Sequence, residues 1–175
     1  EENKVIWQTG SWQRSINNFH HACELVINGR IGKVDYVEVG LPDGAKPVGT
    51  PPEMEVPPGL NWDFWLGPAP STPFRGTCHG RWRWIMDYSG GQLTDWAGHH
   101  IDIAHWGCGF DKTGPVELEG KGVYPREGIY DVPVEYNVKA KYANGVEMTI
   151  ANARQLPYGM GTCWYGDKGW LHVRR

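Results

Sequence analysis

Alternating hydrophobicity dominates the sequence after Gly109, and it requires a fold that contains a large sheet. Alternating segments predict strands at residues 116–123, 134–142, 146–151 and 170–173, with a shorter strand at 162–165. Asn144-Gly145, between the second and third of these segments, is the strongest hairpin signal in the sequence. A second turn is predicted at residues 167–169, before the last strand. Strands joined by hairpins pair antiparallel.

Before Gly109, three- and four-residue spacing of apolar side chains predicts helices at residues 19–28 and 92–106. Short strands are predicted at residues 5–10 and 33–41. Helices placed early and hairpin-linked strands placed late indicate an α+β fold. We therefore expect a large, mainly antiparallel open sheet with helices packed on one face.

Residues 42–80 are rich in proline and have no clear period, which predicts a long loop region. Loops of this length in compact domains are functional or serve as linkers. Because this one contains Trp62, Phe64 and Trp65, we expect it to be ordered and packed across a surface.

The charge balance excludes some classes of partner. The net charge is −3, and the sequence pI is about 6.2, which gives no electrostatic reason to expect nucleic acid as a partner. Arginines alternate with tryptophans at residues 81–84, a pattern that can stack bases, but the surrounding chain is not basic. No apolar run has the length of a membrane-spanning helix, and the cysteine spacing does not match a zinc site.

Titratable side chains are concentrated in "GGQLTDWAGHHIDIAHWG", residues 90–107. On one continuous helix Asp95, His99 and Asp102 lie within a stripe about 60° wide. His100 and His105 lie off this stripe, on opposite sides. The pattern predicts a ladder in which two carboxylates flank one imidazole.

Such a ladder has three interpretations. Carboxylates raise the pKa of a neighbouring histidine, which suits it to proton transfer near neutrality, and Gly90-Gly91 would let a ligand approach closely. The same side chains also suit a solvated helix face, or a buried histidine that is merely hydrogen-bonded. A metal site would need at least Asp95, His99 and Asp102 to converge, and the usual metal motifs are missing, so we predict none.

The stretch resembles the signature G-G-x-L-x-D-x-x-x-H-x-x-D of the glucose–fructose oxidoreductase / inositol dehydrogenase / MocA family. Residues 22–40, "ACELVINGRIGKVDYVEVG", 61–70, "NWDFWLGPAP", and 82–91, "WRWIMDYSGG", resemble one branch of it. The resemblance covers essentially the whole chain.

Family members have an N-terminal Rossmann domain and a C-terminal α/β domain with a large open sheet. The resemblance implies that residues 13–175 are the second domain, shortened at its C-terminus, and that residues 1–12 are the last strand and junction of the first. The sequence has neither the G-x-G-x-x-G turn nor the family's Glu-Lys-Pro motif. We therefore expect NAD or NADP to be bound mainly by a domain that this chain lacks.

The resemblance also implies site roles. His99 corresponds to the family's proton donor or acceptor and Asp95 to its orienting partner, with Asp102, Gly90 and Gly91 in support. The implied reaction is hydride transfer between a nicotinamide and a sugar or polyol. Side chains that could contact that substrate are Tyr88, Trp84 and Arg14.

Two alternatives remain open. One is an NAD-dependent glycosidase of the same superfamily, and the other is a non-catalytic module for assembly or sugar binding. In either case we expect a homo-oligomer formed through the sheet, because exposed sheet surfaces mark interfaces. A cytoplasmic location is predicted, or a periplasmic one if a preceding segment carries an export signal.

Overall fold

The computed structural model describes residues 2–175, apart from the side chains of residues 77–79. One sheet and several helices account for its regular structure. The α-helices are α1 (Asn17–Ile27), α2 (Trp62–Leu66), α3 (Gly76–Arg81) and α4 (Ala97–Cys108). The strands are β1 (Val34–Leu41), β2 (Glu117–Val123), β3 (Glu135–Lys141), β4 (Glu147–Asn152), β5 (Gly161–Gly166) and β6 (Gly169–Val173).

The sheet has six strands in the order β2-β3-β4-β1-β5-β6. Every neighbouring pair is antiparallel except β1 and β4, which run parallel with Tyr36 opposite Glu147. The predicted α+β class, with a mainly antiparallel open sheet, is confirmed. The parallel pair at the centre was not predicted.

Side chains of β1 alternate between the two faces of the sheet. Val37, Val39 and Leu41 are fully buried in the main core, together with apolar residues of α1 and α4. Tyr36 and Glu38 point to the opposite face and are partly exposed. Helices α1 and α4 therefore pack on one face of the sheet, as predicted.

Trp164 of β5 is the largest fully buried side chain and lies beneath α4. Its indole N–H donates to the carbonyl oxygen of Ala104 at 3.3 Å. At Gly107 the helix presents no side chain to the indole, and a Cβ there would lie 2.7 Å from Trp164 Cζ2. The missing side chain thus lets α4 approach the sheet closely.

The predicted hairpin turns are confirmed. Gly145 has a φ of 89°, and the Asn144 side chain accepts from the amide of Val146 at 3.2 Å. At the turn between β5 and β6, Asp167 Oδ1 accepts from the amide of Lys33 at 2.9 Å. This second bond ties the turn to the residue that precedes β1.

Two predicted elements differ from the structure. Residues 5–10 form no strand, and Ile6 and Trp7 are 97% and 89% exposed, because no strand of the described chain pairs with them. The helix predicted at 92–106 is divided into a 3-10 turn, Gly91–Leu93, and α4, which begins only at Ala97. Gly109, with a φ of 71°, ends α4 in the left-handed conformation.

In the proline-rich region Trp62 is buried and Trp65 is partly buried, as predicted, whereas Phe64 is 84% exposed, so the predicted packing is wrong for Phe64. The region has regular structure of its own. It contains α2 and α3 and contributes to a second apolar cluster, apart from the main core. The buried members of this cluster are Trp62, Leu66, Phe74, Ile85 and Tyr130. The rings of Trp62 and Trp65 stack with their centroids 4.7 Å apart, so these two tryptophans contribute to the packing of this region.

Two glycines of α4 test the packing of Trp164. Gly107→Ala should lower the free energy of unfolding by about 1–3 kcal/mol, because the new methyl group overlaps the buried indole. Gly98→Ala in the same helix meets nothing within 4 Å, so it should be neutral or stabilise by up to about 1 kcal/mol. Urea unfolding measures both, and equal effects would contradict this account of the packing.

Candidate active site

Asp95 and His99 lie on either side of the start of α4. Asp95 belongs to the turn before the helix, where its amide donates to the carbonyl of Gly91 at 3.0 Å. His99 is in the first turn, and its amide donates to the carbonyl of Trp96 at 3.0 Å. Both residues are partly exposed. The rings of His99 and Trp96 meet edge to face with centroids 5.7 Å apart.

Asp95 is held by an arginine. Its Oδ2 lies 3.2 Å from Nε of Arg83, and both side chains are partly exposed. Since Arg83 comes from the segment that follows α3, the ion pair joins the proline-rich region to the start of α4. It also leaves Oδ1 of Asp95 without a hydrogen bond among the described residues.

The predicted Asp-His-Asp ladder is wrong in its contacts. No hydrogen bond among the described residues joins His99 to Asp95 or to Asp102. For Asp95 the prediction assumed one continuous helix, whereas the chain leaves helical geometry between Leu93 and Ala97. His99 and Asp102 share α4, but the carboxylate of Asp102 is bound to Arg14. Arginines occupy both carboxylates instead.

Asp102 forms a two-pronged ion pair with Arg14, whose Nε and Nη2 donate to the two carboxylate oxygens at 2.8 Å each. Arg14 also donates to Asp111 at 2.7 Å, and its guanidinium lies 5.2 Å from the centre of the Trp106 ring. These contacts raise the pKa of Arg14 and lower that of Asp111. Arg14 thereby joins the N-terminal 3-10 turn to α4, and its guanidinium is already engaged.

The two glycines before the helix have conformational roles. Gly91 is buried with a φ of 63°, and a Cβ there would lie 2.7 Å from Val132 Cγ2. The amide of Gly90 donates to Thr94 Oγ1 at 3.0 Å, and a Cβ on Gly90 would lie 2.7 Å from Thr94 Cγ2. The space beside both glycines is therefore filled by protein side chains and not by a ligand.

Trp84 and Tyr88 both adjoin the second apolar cluster. Trp84 packs beside Gly91, and its carbonyl accepts from the amide of Asp131 at 3.2 Å. The Tyr88 hydroxyl lies 2.9 Å from Thr72 Oγ1, and its ring lines a surface groove. Tyr88 is thus placed where it can meet a ligand, whereas Trp84 mainly supports the structure.

His100, which the helical wheel turned away from the site, is fully buried in the main core. Neither ring nitrogen has a hydrogen-bond partner among the described residues. Burial, with a smaller contribution from the nearby His99, Arg175 and His172, lowers its pKa to about 4. The sequence contained a signal for this burial, because His100 follows Ala97 and precedes Ile103 at helical spacing.

His105 lies elsewhere, with Nε2 2.6 Å from the Tyr142 hydroxyl. Within the described part of the chain, no group of three His, Cys, Asp or Glu side chains is arranged to hold a metal ion. Among the same residues no helix is long and apolar enough to cross a membrane.

Comparison with protein families gives a decisive match. The model of the C-terminal alpha/beta domain of the Gfo/Idh/MocA oxidoreductase family matches residues 48–159. The chain belongs to this family. No significant match was found among curated proteins. The matched segment of this Gfo/Idh/MocA domain includes Tyr88, Asp95, His99 and Asp102.

Solved structures share the fold. GenD2 from gentamicin A biosynthesis, in complex with NAD, has 18% identity and a TM-score of 0.61 over 98% of this chain and 40% of its own. A myo-inositol dehydrogenase from Corynebacterium glutamicum has 20% identity and a TM-score of 0.53 over 95% of this chain and 40% of its own. The WlbA dehydrogenase from Bordetella pertussis, in complex with NADH and UDP-GlcNAcA, has 15% identity and a TM-score of 0.56 over 92% and 40%.

The chain thus spans about 40% of the length of these structures. At such identities the comparisons establish the fold of the Gfo/Idh/MocA domain, and the roles of single residues rest on its own geometry.

The burial of His100 predicts a pH-dependent stability. Between about pH 6.5 and 4 the unfolded chain binds a proton at His100 that the folded chain does not. The free energy of unfolding should therefore fall as the pH falls through this window, by up to about 3 kcal/mol, and be fully present above it. Urea unfolding of His100→Gln at pH 7.5 and 5 should show a smaller fall than the parent chain.

His21→Gln is the matched control, because His21 is exposed on α1 and should keep the parent's pH dependence. If both variants follow the parent, His100 does not account for the loss.

Proposed function

We propose that the chain is the substrate-binding half of an NAD(P)-dependent oxidoreductase that transfers hydride between a nicotinamide and a sugar or polyol. The observation that carries the proposal is the family match, which spans a half-exposed His99 and the adjoining Asp95 at the start of α4. Two dehydrogenases, and a third protein in complex with NAD, among the structures of the same fold support it. The names of these structures do not identify the substrate of this chain.

The described residues do not fit a dinucleotide. The only parallel pair of the described sheet is β1 with β4, and no glycine-rich turn leads from a parallel strand into a helix N-terminus, as pyrophosphate binding requires. We therefore place NAD or NADP in another part of a longer protein. What this chain supplies is the substrate's surroundings and a proton carrier.

In this proposal His99 exchanges a proton with the substrate hydroxyl whose carbon is oxidised or reduced. Its place in the first turn of α4 is fixed by its backbone bond to Trp96, and the Trp96 ring lies against the imidazole. Arg83 holds Oδ2 of Asp95, so Oδ1 remains available to the imidazole or to a substrate hydroxyl. A proton carrier must be this well positioned to act.

His99→Ala in the full-length protein should lower turnover by about 10²–10⁴, the usual contribution of a positioned acid or base. The affinity for the nicotinamide, measured by fluorescence titration, should change little, because the cofactor is placed outside this chain. Asp95→Asn should lower turnover less and shift the pH–rate profile. Turnover unchanged by His99→Ala would contradict the assignment.

His100 and His105 lie off the predicted stripe, and from the sequence alone we expect His100→Ala and His105→Ala to keep near-normal rates; the structure makes both poor controls. His100 is a core residue and His105 bonds Tyr142, so both substitutions should destabilise the fold. His21→Ala, on the exposed face of α1, is the better histidine control. Asp102→Asn should lower stability through the loss of the Arg14 ion pair and leave the pH–rate profile unchanged.

We also propose that the protein forms a homo-oligomer through the sheet face opposite α1 and α4. Trp170 of β6 is 53% exposed there, and its ring stacks on Tyr158 at 4.4 Å. On the same face, charges of opposite sign face each other across β2 and β3, with Glu117 opposite Lys141 and Glu119 opposite Lys139. A second copy of this face offers both apolar contact and complementary charge.

Light scattering at tens of micromolar should give a dimer or larger species. Trp170→Lys should shift it towards monomer by placing a charge in the contact, whereas Phe64→Lys, a change at another exposed aromatic residue on α2, should not. A monomeric parent protein would refute the proposal.

A further inference from the structure

A groove of about 420 Å³ lies between α2 and the residues that follow α3, within the size range of small-molecule sites. We call it the aromatic groove. Its main lining residues are Trp65, Pro68, Pro70, Trp82, Asp87 and Tyr88. It belongs to the proline-rich region and adjoins the second apolar cluster.

The walls of the aromatic groove are held by the packing beneath them. Trp65 stacks on the buried Trp62 with an angle of 13° between the rings, and Tyr88 meets Trp65 edge to face at 5.2 Å. The hydroxyl of Tyr88 is bonded to Thr72. A ligand would therefore meet aromatic surfaces that are already ordered, which lowers the entropic cost of binding.

The described lining residues combine aromatic rings with one charged side chain, that of Asp87. Trp82 is 40% exposed, and the carboxylate of Asp87 has no hydrogen-bond or ion-pair partner among the described residues. A sugar ring has an apolar C–H face that can lie on an aromatic ring and a rim of hydroxyls that can donate to a carboxylate. A phosphate group fits poorly, because Asp87 would repel it. The chemistry selects a neutral saccharide.

The groove is connected to the candidate active site by Arg83. Its guanidinium carbon lies 5.8 Å from the centre of the Trp82 ring, and its Nε lies 3.2 Å from Asp95. Residues 82–95 therefore contribute to the aromatic groove at one end and carry Asp95 at the other.

We infer that the aromatic groove binds a second sugar unit of the substrate, so that the substrate is a neutral oligosaccharide or glycoside and not a single sugar or polyol. The inference rests on the proposed function, because it places the reacting unit at His99. It assigns Trp82 as a stacking platform for the second unit and Asp87 as an acceptor for its hydroxyls.

The test is a calorimetric titration of the protein with α- and β-linked disaccharides of glucose, galactose, xylose and N-acetylglucosamine, and with the four monosaccharides. At least one disaccharide should bind about tenfold or more tightly than its component sugars. Trp82→Ala should remove that advantage, so that the disaccharide binds no more tightly than its component sugars. Phe64→Ala is the matched control, because Phe64 is 84% exposed on α2 and does not line the groove.

Asp87→Asn provides a second variant that keeps the shape of the groove. It should weaken disaccharide binding about fivefold, since a hydrogen bond to a charged acceptor becomes one to a neutral acceptor. Far-ultraviolet circular dichroism confirms that each variant is folded. Rescue of the affinity by Trp82→Tyr would support stacking as the cause.

Three results would overturn the inference. The first is that no disaccharide binds more tightly than its component monosaccharides. The second is that Trp82→Ala and Phe64→Ala weaken disaccharide binding equally. The third is that a proline-rich decapeptide binds in the groove and no saccharide does.

Binding and turnover separate this inference from the proposed function. His99→Ala should leave the disaccharide advantage intact, because it acts on the reaction and not on the groove. A harmless His99→Ala together with a retained effect of Trp82→Ala would refute the catalytic assignment and leave the saccharide groove standing.

Discussion

The contact between Trp164 and α4 sets the distance between the helical layer and the sheet. A fully buried indole can lie there only because Gly107 presents no side chain, and its N–H finds an acceptor at the carbonyl of Ala104. Since His99 and His100 belong to the same helix, this contact also determines which of them enters the core. His100 goes inward and His99 remains at the surface, where a substrate can reach it. The placement of the candidate proton carrier thus depends on packing two turns away.

Two arginines, Arg14 and Arg83, form ion pairs with the carboxylates around α4, and the two sets of ion pairs differ in how many contacts hold them. Arg14 forms ion pairs with Asp102 and Asp111 and lies over the Trp106 ring. These contacts join the N-terminal segment to α4. Arg83 forms a single ion pair with Asp95 beside His99 and borders the aromatic groove through Trp82. The first arrangement is rigid and has several contacts, and the second leaves one carboxylate oxygen available. A substrate hydroxyl can therefore bind Asp95 while disrupting fewer contacts than it would have to disrupt to reach Asp102.

Local patterns in the sequence predicted most of the fold but only part of the site. Alternation predicted the strands after Gly109 to within one residue, and Asn144-Gly145 identified its hairpin, because both signals act over a few residues. The parallel pairing of β1 with β4 depends on distant segments, so no local period could indicate it. The break before Ala97 misplaced Asp95, since a helical wheel assumes a continuous helix. The spacing of His100 to Ala97 and Ile103 was sufficient to predict its burial, because the three residues lie on the same face of α4. The roles of His99 and Asp95 stay predictions.

The central position of β1 has a consequence for how the chain acquires its structure. Tyr36 pairs on one side with Glu147 and on the other with Tyr165, so the strand made first in the sheet receives both its neighbours from the end of the chain. During synthesis the backbone N–H and C=O groups along both edges of β1 have no strand to pair with until β4 and β5 have left the ribosome. Contacts of such long sequence separation slow folding and expose the nascent chain to aggregation. We therefore expect the N-terminal half to depend on chaperones until the last two hairpins are complete.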